Sequence, residues 1–246
     1  MINKRYRLGV LTPSSNTSLE PLTANLVANI AGTSAHFSRF KVTKIALDKK
    51  AEDQFLLEKM LSASDLLVDC QSDVIGWSGT SSSWLGFDKD EALCKTIYER
   101  TGIPATTSIL ALNEILQKIG QSRFALVTPY SSEVQQQIIE NYHANGYEVM
   151  AEDHLKITDN FSFANISDEV LSAQVRKMAK QGAPLIVVAC TNLKSADLVS
   201  QWEDEFGIPI LDTTTTVIWK MLQITGQKPN ISGWGKLMSG ELLNEY

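Results

Sequence analysis

Pro184-Leu185-Ile186-Val187-Val188-Ala189-Cys190-Thr191-Asn192 is the stretch on which the fold turns. Five consecutive apolar residues, β-branched at their centre, run from a Gly182-Ala183-Pro184 turn to a polar Cys-Thr-Asn loop. The run is too short for a helix and does not alternate. It therefore reads as a strand buried on both faces, the pattern of a parallel sheet covered by helices. A close echo stands 111 residues earlier as Asp73-Val74-Ile75-Gly76-Trp77-Ser78-Gly79-Thr80, with Gly79 opposite Cys190.

Three further echoes flank this pair in the same order. Leu11-Thr12-Pro13-Ser14-Ser15 returns as Val127-Thr128-Pro129-Tyr130-Ser131. Gly102-Ile103-Pro104 returns as Gly207-Ile208-Pro209, each followed by threonines. Leu116-Gln117-Lys118-Ile119-Gly120 returns as Leu222-Gln223-Ile224-Thr225-Gly226. Ordered echoes at offsets of 105 to 116 residues predict two similar lobes related by a pseudo-twofold axis. Within them, strands are expected at 7–11, 35–42, 73–78, 105–107, 124–128, 147–151, 185–189 and 208–211. Helical patterns lie between, at 52–69, 88–101, 109–119, 132–144, 168–180, 196–205 and 217–224. The fold class is α/β: two pseudo-symmetric Rossmann-like lobes with parallel sheets and an active-site cleft between them. Residues 1–115 form the first lobe and 116–212 the second, with 213–246 packing back on the first.

Composition bounds the function. Hydrophobic residues make up 43% of the 246 and charged residues 20%, enough for a core and too little charge for disorder. With 22 Lys plus Arg against 28 Asp plus Glu, the net charge is −6, and no basic tract offers a nucleic-acid surface. No apolar run approaches the ~20 residues of a membrane span. Cys70, Cys94 and Cys190 cannot make a disulfide framework, and the opening residues lack an apolar signal core. A soluble, cytoplasmic protein with reduced thiols is expected. The three histidines have no metal-ligand spacing, and no phosphate loop or dinucleotide fingerprint is present. No cofactor and no metal are expected.

Ligands of open α/β sheets bind beyond the carboxyl ends of the strands, which is where the echoes carrying Ser, Thr, Tyr and Cys fall. The expected cleft is lined by 12–17, 79–83, 128–132 and 190–192. In Ser78-Gly79-Thr80-Ser81-Ser82-Ser83, small residues let backbone amides approach an anion and hydroxyls add donors; a plain Ser/Thr turn is the bland alternative. Asn16, in Pro13-Ser14-Ser15-Asn16-Thr17, either caps the next helix or reaches a carboxylate. Tyr130 either points its hydroxyl into the cleft or acts as an aromatic lid on the core. A buried Cys is often only a small hydrophobe. Cys190, however, ends a strand where a nearby helix N-terminus would lower its pKa, so it is the candidate catalytic thiol.

Pro-Ser-Ser-Asn-Thr at 13–17, Gly-Thr-Ser at 79–81, Thr-Pro-Tyr at 128–130 and Ala-Cys-Thr-Asn at 189–192 resemble the aspartate/glutamate racemase superfamily. The likeness is nearest to its branch of maleate cis–trans isomerases and arylmalonate decarboxylases and runs from about Arg7 to Gly226. It implies cofactor-free carbon-acid chemistry on a small mono- or dicarboxylate, with a homo-oligomer possible. Racemases and isomerases of the superfamily use one cysteine per lobe; here the first-lobe position is Gly79, as in the decarboxylase. The resemblance implies that Gly79, Thr80, Ser81 and Tyr130 hold a carboxylate while Cys190 protonates an enediolate. Thr191 and Asn192, and Asn16 in its Pro13-Ser14 loop, look instead like the isomerase, with a looser match at Asn160. Decarboxylation of a substituted malonate is the expected reaction. The alternatives are maleate isomerisation or Asp/Glu-type racemisation, and an inactive carboxylate-binding protein.

Overall fold

Strand Tyr6–Pro13 (β1) is the middle of the first sheet in a computed structural model that describes residues 5–244. It pairs on one side with Thr33–Phe40 (β2) and on the other with Val74–Trp77 (β3); Ala105–Thr107 (β4) completes the order β2-β1-β3-β4. The second sheet repeats this plan with Arg123–Thr128 (β5), Glu148–His154 (β6), Ile186–Val188 (β7) and Ile210–Asp212 (β8), in the order β6-β5-β7-β8. Every pairing in both sheets is parallel. Parallel neighbours need crossover connections, which here are mostly helical. Val10, Leu11, Val74 and Ile75 are inaccessible to solvent, as are Phe124 to Val127 and Ile186 to Val188. Burial on both faces is what their uninterrupted apolar spelling requires.

The order of each sheet reverses direction of growth at its second strand. The carboxyl ends of β1 and β3, and of β5 and β7, therefore flank the two crevices where such sheets take ligands. Those ends carry Pro13, Ser78, Thr128 and Ala189, the loops that the echoes single out. Among the described residues no helix is long and apolar enough to cross a membrane.

Several boundaries differ from the sequence reading, each for a local reason. The pattern over 52–69 is not one helix. Asp48 caps a short helix at Lys49–Glu52 by accepting from the Ala51 amide at 3.0 Å; a 3-10 turn follows at Asp53–Phe55, and Leu56 breaks to ψ 132° before Leu57–Asp69. The helix expected at 196–205 starts at Val199, because 191–198 forms a loop. The last long helix begins early, at Thr213, although β-branched residues are poor helix formers. Asp212 supplies its cap, accepting from the Thr214 amide at 2.7 Å, and the Thr215 and Thr216 hydroxyls bond back to the carbonyls of Asp212 and Thr213.

Helix Thr213–Ile224 then lies on the first sheet. Thr216 Oγ1 donates to the Ser108 carbonyl at 2.9 Å, and Lys220 pairs with Glu114 at 2.6 Å. Gly76, in the middle of β3, is what lets the helix approach. A Cβ there would collide with Met221 Sδ and come within 2.9 Å of Val217 Cγ2. The methionine can swing away; the β-branched valine cannot. Gly76→Ala is therefore expected to lower stability by about 1–3 kcal/mol, as overpacking does. Denaturant unfolding measures it, and an unchanged midpoint would show that the helix docks less tightly than described.

Candidate active site

The two crevices face each other and are stitched by side chains from both lobes. Asn16, in the loop after β1, caps helix Leu19–Val27 with Oδ1, which accepts from the amides of Ser18 and Leu19 at 3.0 Å each. Its amide group donates across to Thr191 Oγ1 at 3.3 Å, and Thr191 donates to the Ser78 carbonyl at 3.1 Å. Asn192, from the second lobe, accepts at Oδ1 from the amides of Thr17 and Ser18 (2.9 and 3.2 Å) and donates to the Asn160 carbonyl at 2.5 Å. Asn160 donates to Ser15 Oγ at 2.8 Å, and Ser15 and Ser14 both donate to the Val42 carbonyl. Above this network, backbone bonds from Ile45 to Thr158 and from Asn160 to Thr43 zip the loop after β2 to the loop after β6.

Within the stitch lies a small, partly open crevice of about 20 Å³, room for about one water molecule. Pro13, Gly79, Thr80, Ser81, Tyr130, Asn160, Cys190, Thr191 and Asn192 all line it. Ser14 and Asn16 do not; they support it from behind through the bonds just described. The lining that the sequence reading missed is apolar: Val42 and Ile45 from the loop after β2, Phe55 from the 3-10 turn, and Trp77 and Trp84. Phe55 arrives there because the helical pattern breaks at Asp53–Leu56, a break with no glycine or proline to announce it. A groove of about 660 Å³ begins on the other side of Phe55, Ser81 and Trp84.

Cys190 and Tyr130 lie side by side in this lining. The Tyr130 ring stacks edge-on against Trp84 (5.4 Å) and Phe163 (5.6 Å), so the aromatic-lid reading holds for the ring. Its hydroxyl bonds Thr80 Oγ1 at 2.6 Å and also meets the Cys190 thiol. Burial pushes the thiol up to about 12. The Tyr130 hydroxyl and the amides of Asn192 and Leu193 pull the other way, and Asp212 adds to the rise. This overturns the expected lowering. No helix begins at Cys190, since the next one starts at Val199 beyond a loop, and burial disfavours the thiolate. Burial likewise raises the Tyr130 phenol well above its usual range, with Cys190 beside it adding to the shift. At neutral pH both groups hold their protons. Cys70 and Cys94 lie outside this lining.

Two buried carboxyls brace the site loops from behind. Asp90 accepts from Ser82 Oγ at 2.6 Å and Thr107 Oγ1 at 2.5 Å, and Ser83 Oγ donates to the Thr80 carbonyl at 2.6 Å, so the 79–83 loop is held on both sides. Asp212 accepts from Ser195 Oγ at 2.5 Å, which anchors the loop after Cys190. Among the described residues no group of His, Cys, Asp and Glu side chains is gathered as a metal site. The lining holds one thiol, neutral hydroxyls, amides and indoles, and no formal charge. Such a set can hold a carboxylate by hydrogen bonds and exchange a proton with carbon.

A family model described as arylmalonate decarboxylase matches residues 9–238. A maleate isomerase of Geobacillus stearothermophilus is 26% identical over 97% of this chain and 99% of its own length. An arylmalonate decarboxylase of Bordetella bronchiseptica is 25% identical over 67% of this chain and 70% of its own. The solved structure of a Nocardia farcinica maleate cis–trans isomerase mutant, with a covalently bound succinylcysteine intermediate, superposes with a TM-score of 0.87. It covers 96% of this chain and 98% of that one, at 23% identity, a likeness of fold.

Burial raises both Asp90 and Asp212 from 3.8 to about 6, against the hydroxyl bonds that lower them. Folding thus draws protons onto these groups. Their stabilising share is complete below about pH 4 and is lost as pH rises through about 6. Asp90→Asn removes one titration. The stability difference between native and variant proteins is expected to change by about 3 kcal/mol in the variant's favour between pH 4 and 7. Unfolding curves at a series of pH values measure it; a difference independent of pH would show that Asp90 does not carry the titration.

Proposed function

Because the chain belongs to the arylmalonate decarboxylase family, we propose that it converts a small dicarboxylate through carbon-centred chemistry in the interlobe site, with Cys190 as its one acid–base thiol. The observation that carries this is a buried thiol beside the Thr80–Tyr130 hydroxyl pair, with Gly79 of the first lobe lining the same crevice.

Decarboxylation of a substituted malonate is the reaction that such a site supports most directly. One carboxylate sits against Thr80, Ser81 and Tyr130. The other leaves as CO₂, and its bonding pair passes into an enediolate whose charge those donors stabilise. The Cys190 S–H then protonates the α-carbon, and the thiolate recovers its proton from water. A thiol whose pKa is raised suits a donor to a strongly basic carbon and suits a nucleophile poorly.

The second reading is cis–trans isomerisation of a maleate-like substrate, and the relatives weigh toward it, since maleate isomerases match nearly the whole chain and the decarboxylase about two thirds. Sulfur would then add to the alkene, the carbon–carbon bond would turn, and sulfur would leave. That route needs the Cys190 thiolate. In either case Val42, Ile45 and Phe55, which narrow the crevice, would have to give way for a dicarboxylate to enter.

Incubation with substituted malonates, maleate and acidic amino acids in D₂O, followed by NMR, separates the readings. Loss of CO₂ with one deuteron gained at the α-carbon is expected. Fumarate formation would establish the isomerase instead, and unchanged substrates throughout would leave only a binding protein. Cys190→Ser is expected to cut turnover at least about 100-fold, since a serine hydroxyl is a far weaker acid. Full activity in that variant would remove Cys190 from the mechanism. Tyr130→Phe, which deletes one donor and keeps the ring packing, is expected to cost about 100-fold or more in kcat; a change confined to KM would reassign the hydroxyl to ground-state binding.

A further inference from the structure

Trp77 ends β3 two residues before Gly79 and is 1% exposed. Its ring leans on Phe40, with centroids 5.0 Å apart, and lines the same cavity as Cys190. A Cβ built on Gly79 would fall within the van der Waals envelope of the indole, against Cζ2, Cε2 and Cη2. Gly79 is not among the residues with positive φ, so the backbone would accept a side chain there and the ring is what excludes it. The indole Nε1, bonded to that same Cε2, is buried and has no hydrogen-bond partner. A buried donor left unmade is costly, and such groups in native proteins call for a reason. Around it the wall is apolar, with Val42, Ile45 and Phe55 also lining the cavity.

We infer that Trp77 sets the specificity of this site in two ways. Its ring occupies the space a side chain at position 79 would need, which fixes the site at one thiol. Its Nε1–H donates to an oxygen of the second substrate carboxylate, the one not held by Thr80, Ser81 and Tyr130. The donor role rests on the carboxylate reading above; the exclusion of a side chain at 79 does not.

The donor role is tested by NMR of protein labelled with ¹⁵N-tryptophan. The sequence has five tryptophans, and loss of one indole signal in Trp77→Phe assigns Trp77. The Cys190→Ser protein, whose turnover is expected to be at least about 100-fold slower, is titrated with malonate and with acetate. Malonate is expected to move the Trp77 indole proton downfield and saturably, and acetate to move it little. Trp219, whose buried Nε1 is also unpartnered but does not line the cavity, serves as the unmoved control. Trp77→Phe is expected to weaken malonate binding about tenfold. Malonate that shifts the Trp84 indole and leaves Trp77 in place overturns the donor role while the carboxylate reading stands. Malonate that perturbs no cavity residue overturns both. The exclusion is tested by melting temperatures of Gly79→Ala and Gly79→Cys, each in the native and the Trp77→Phe backgrounds. Both substitutions are expected to lower the melting temperature markedly in the native background and less beside the smaller ring. Equal losses in the two backgrounds overturn the exclusion.

Discussion

Asn192 is the residue through which the two halves of this protein become one site. It is buried, its oxygen takes the amides of Thr17 and Ser18 from the first lobe, and its nitrogen gives to the Asn160 carbonyl of the second. An unpaired amide side chain in that position would cost more than most single contacts contribute. The satisfied network therefore dictates how the lobes meet. Asn16 and Thr191 extend the same logic, since each bonds a partner from the opposite lobe. Together with the buried Thr80–Tyr130 bond, which also crosses between the lobes, that stitch places Cys190, Thr80 and Tyr130.

Burial of the groups that line this space sets its chemistry. With no formal charge in the lining, the protonation states of Cys190 and Tyr130 are governed by desolvation, which favours the neutral acid in each case. The same low dielectric strengthens every hydrogen bond offered to a carboxylate. On the function proposed above, such neutral donors hold an anionic substrate and its enediolate without a cation.

Symmetry of fold and asymmetry of side chains coexist here. The two sheets share one topology, yet Gly79 stands where Cys190 does, and the indole of Trp77 fills the space beside it. The supports differ as well. The first-lobe loop is braced by a carboxyl from a helix, Asp90, and the second by a carboxyl at a strand end, Asp212, each receiving a hydroxyl from the loop it holds.

The fold was legible in the sequence because parallel strands buried on both faces must be apolar throughout, and because the repeat duplicates the pattern. The runs at 124–128 and 185–189 sit almost where the strands do. Helix starts that depend on capping by a distant or poorly forming residue were harder to read, as at Thr213, where Asp212 outweighs four threonines. The polar lining was legible too, since strand ends announce themselves by an abrupt change from apolar to hydroxyl-bearing residues. Hidden were the apolar roof and the role of Trp77. Val42, Ile45, Phe55 and Trp77 look in sequence like any other core residues, because hydrophobicity carries no address. The sequence by itself determined two α/β lobes and one thiol at a strand end. Only the tertiary structure decided that Asn192 spends its side chain joining the lobes, that burial raises the thiol pKa, and that an indole stands beside Gly79, because each depends on which atoms from distant segments are brought into contact and which are kept from water.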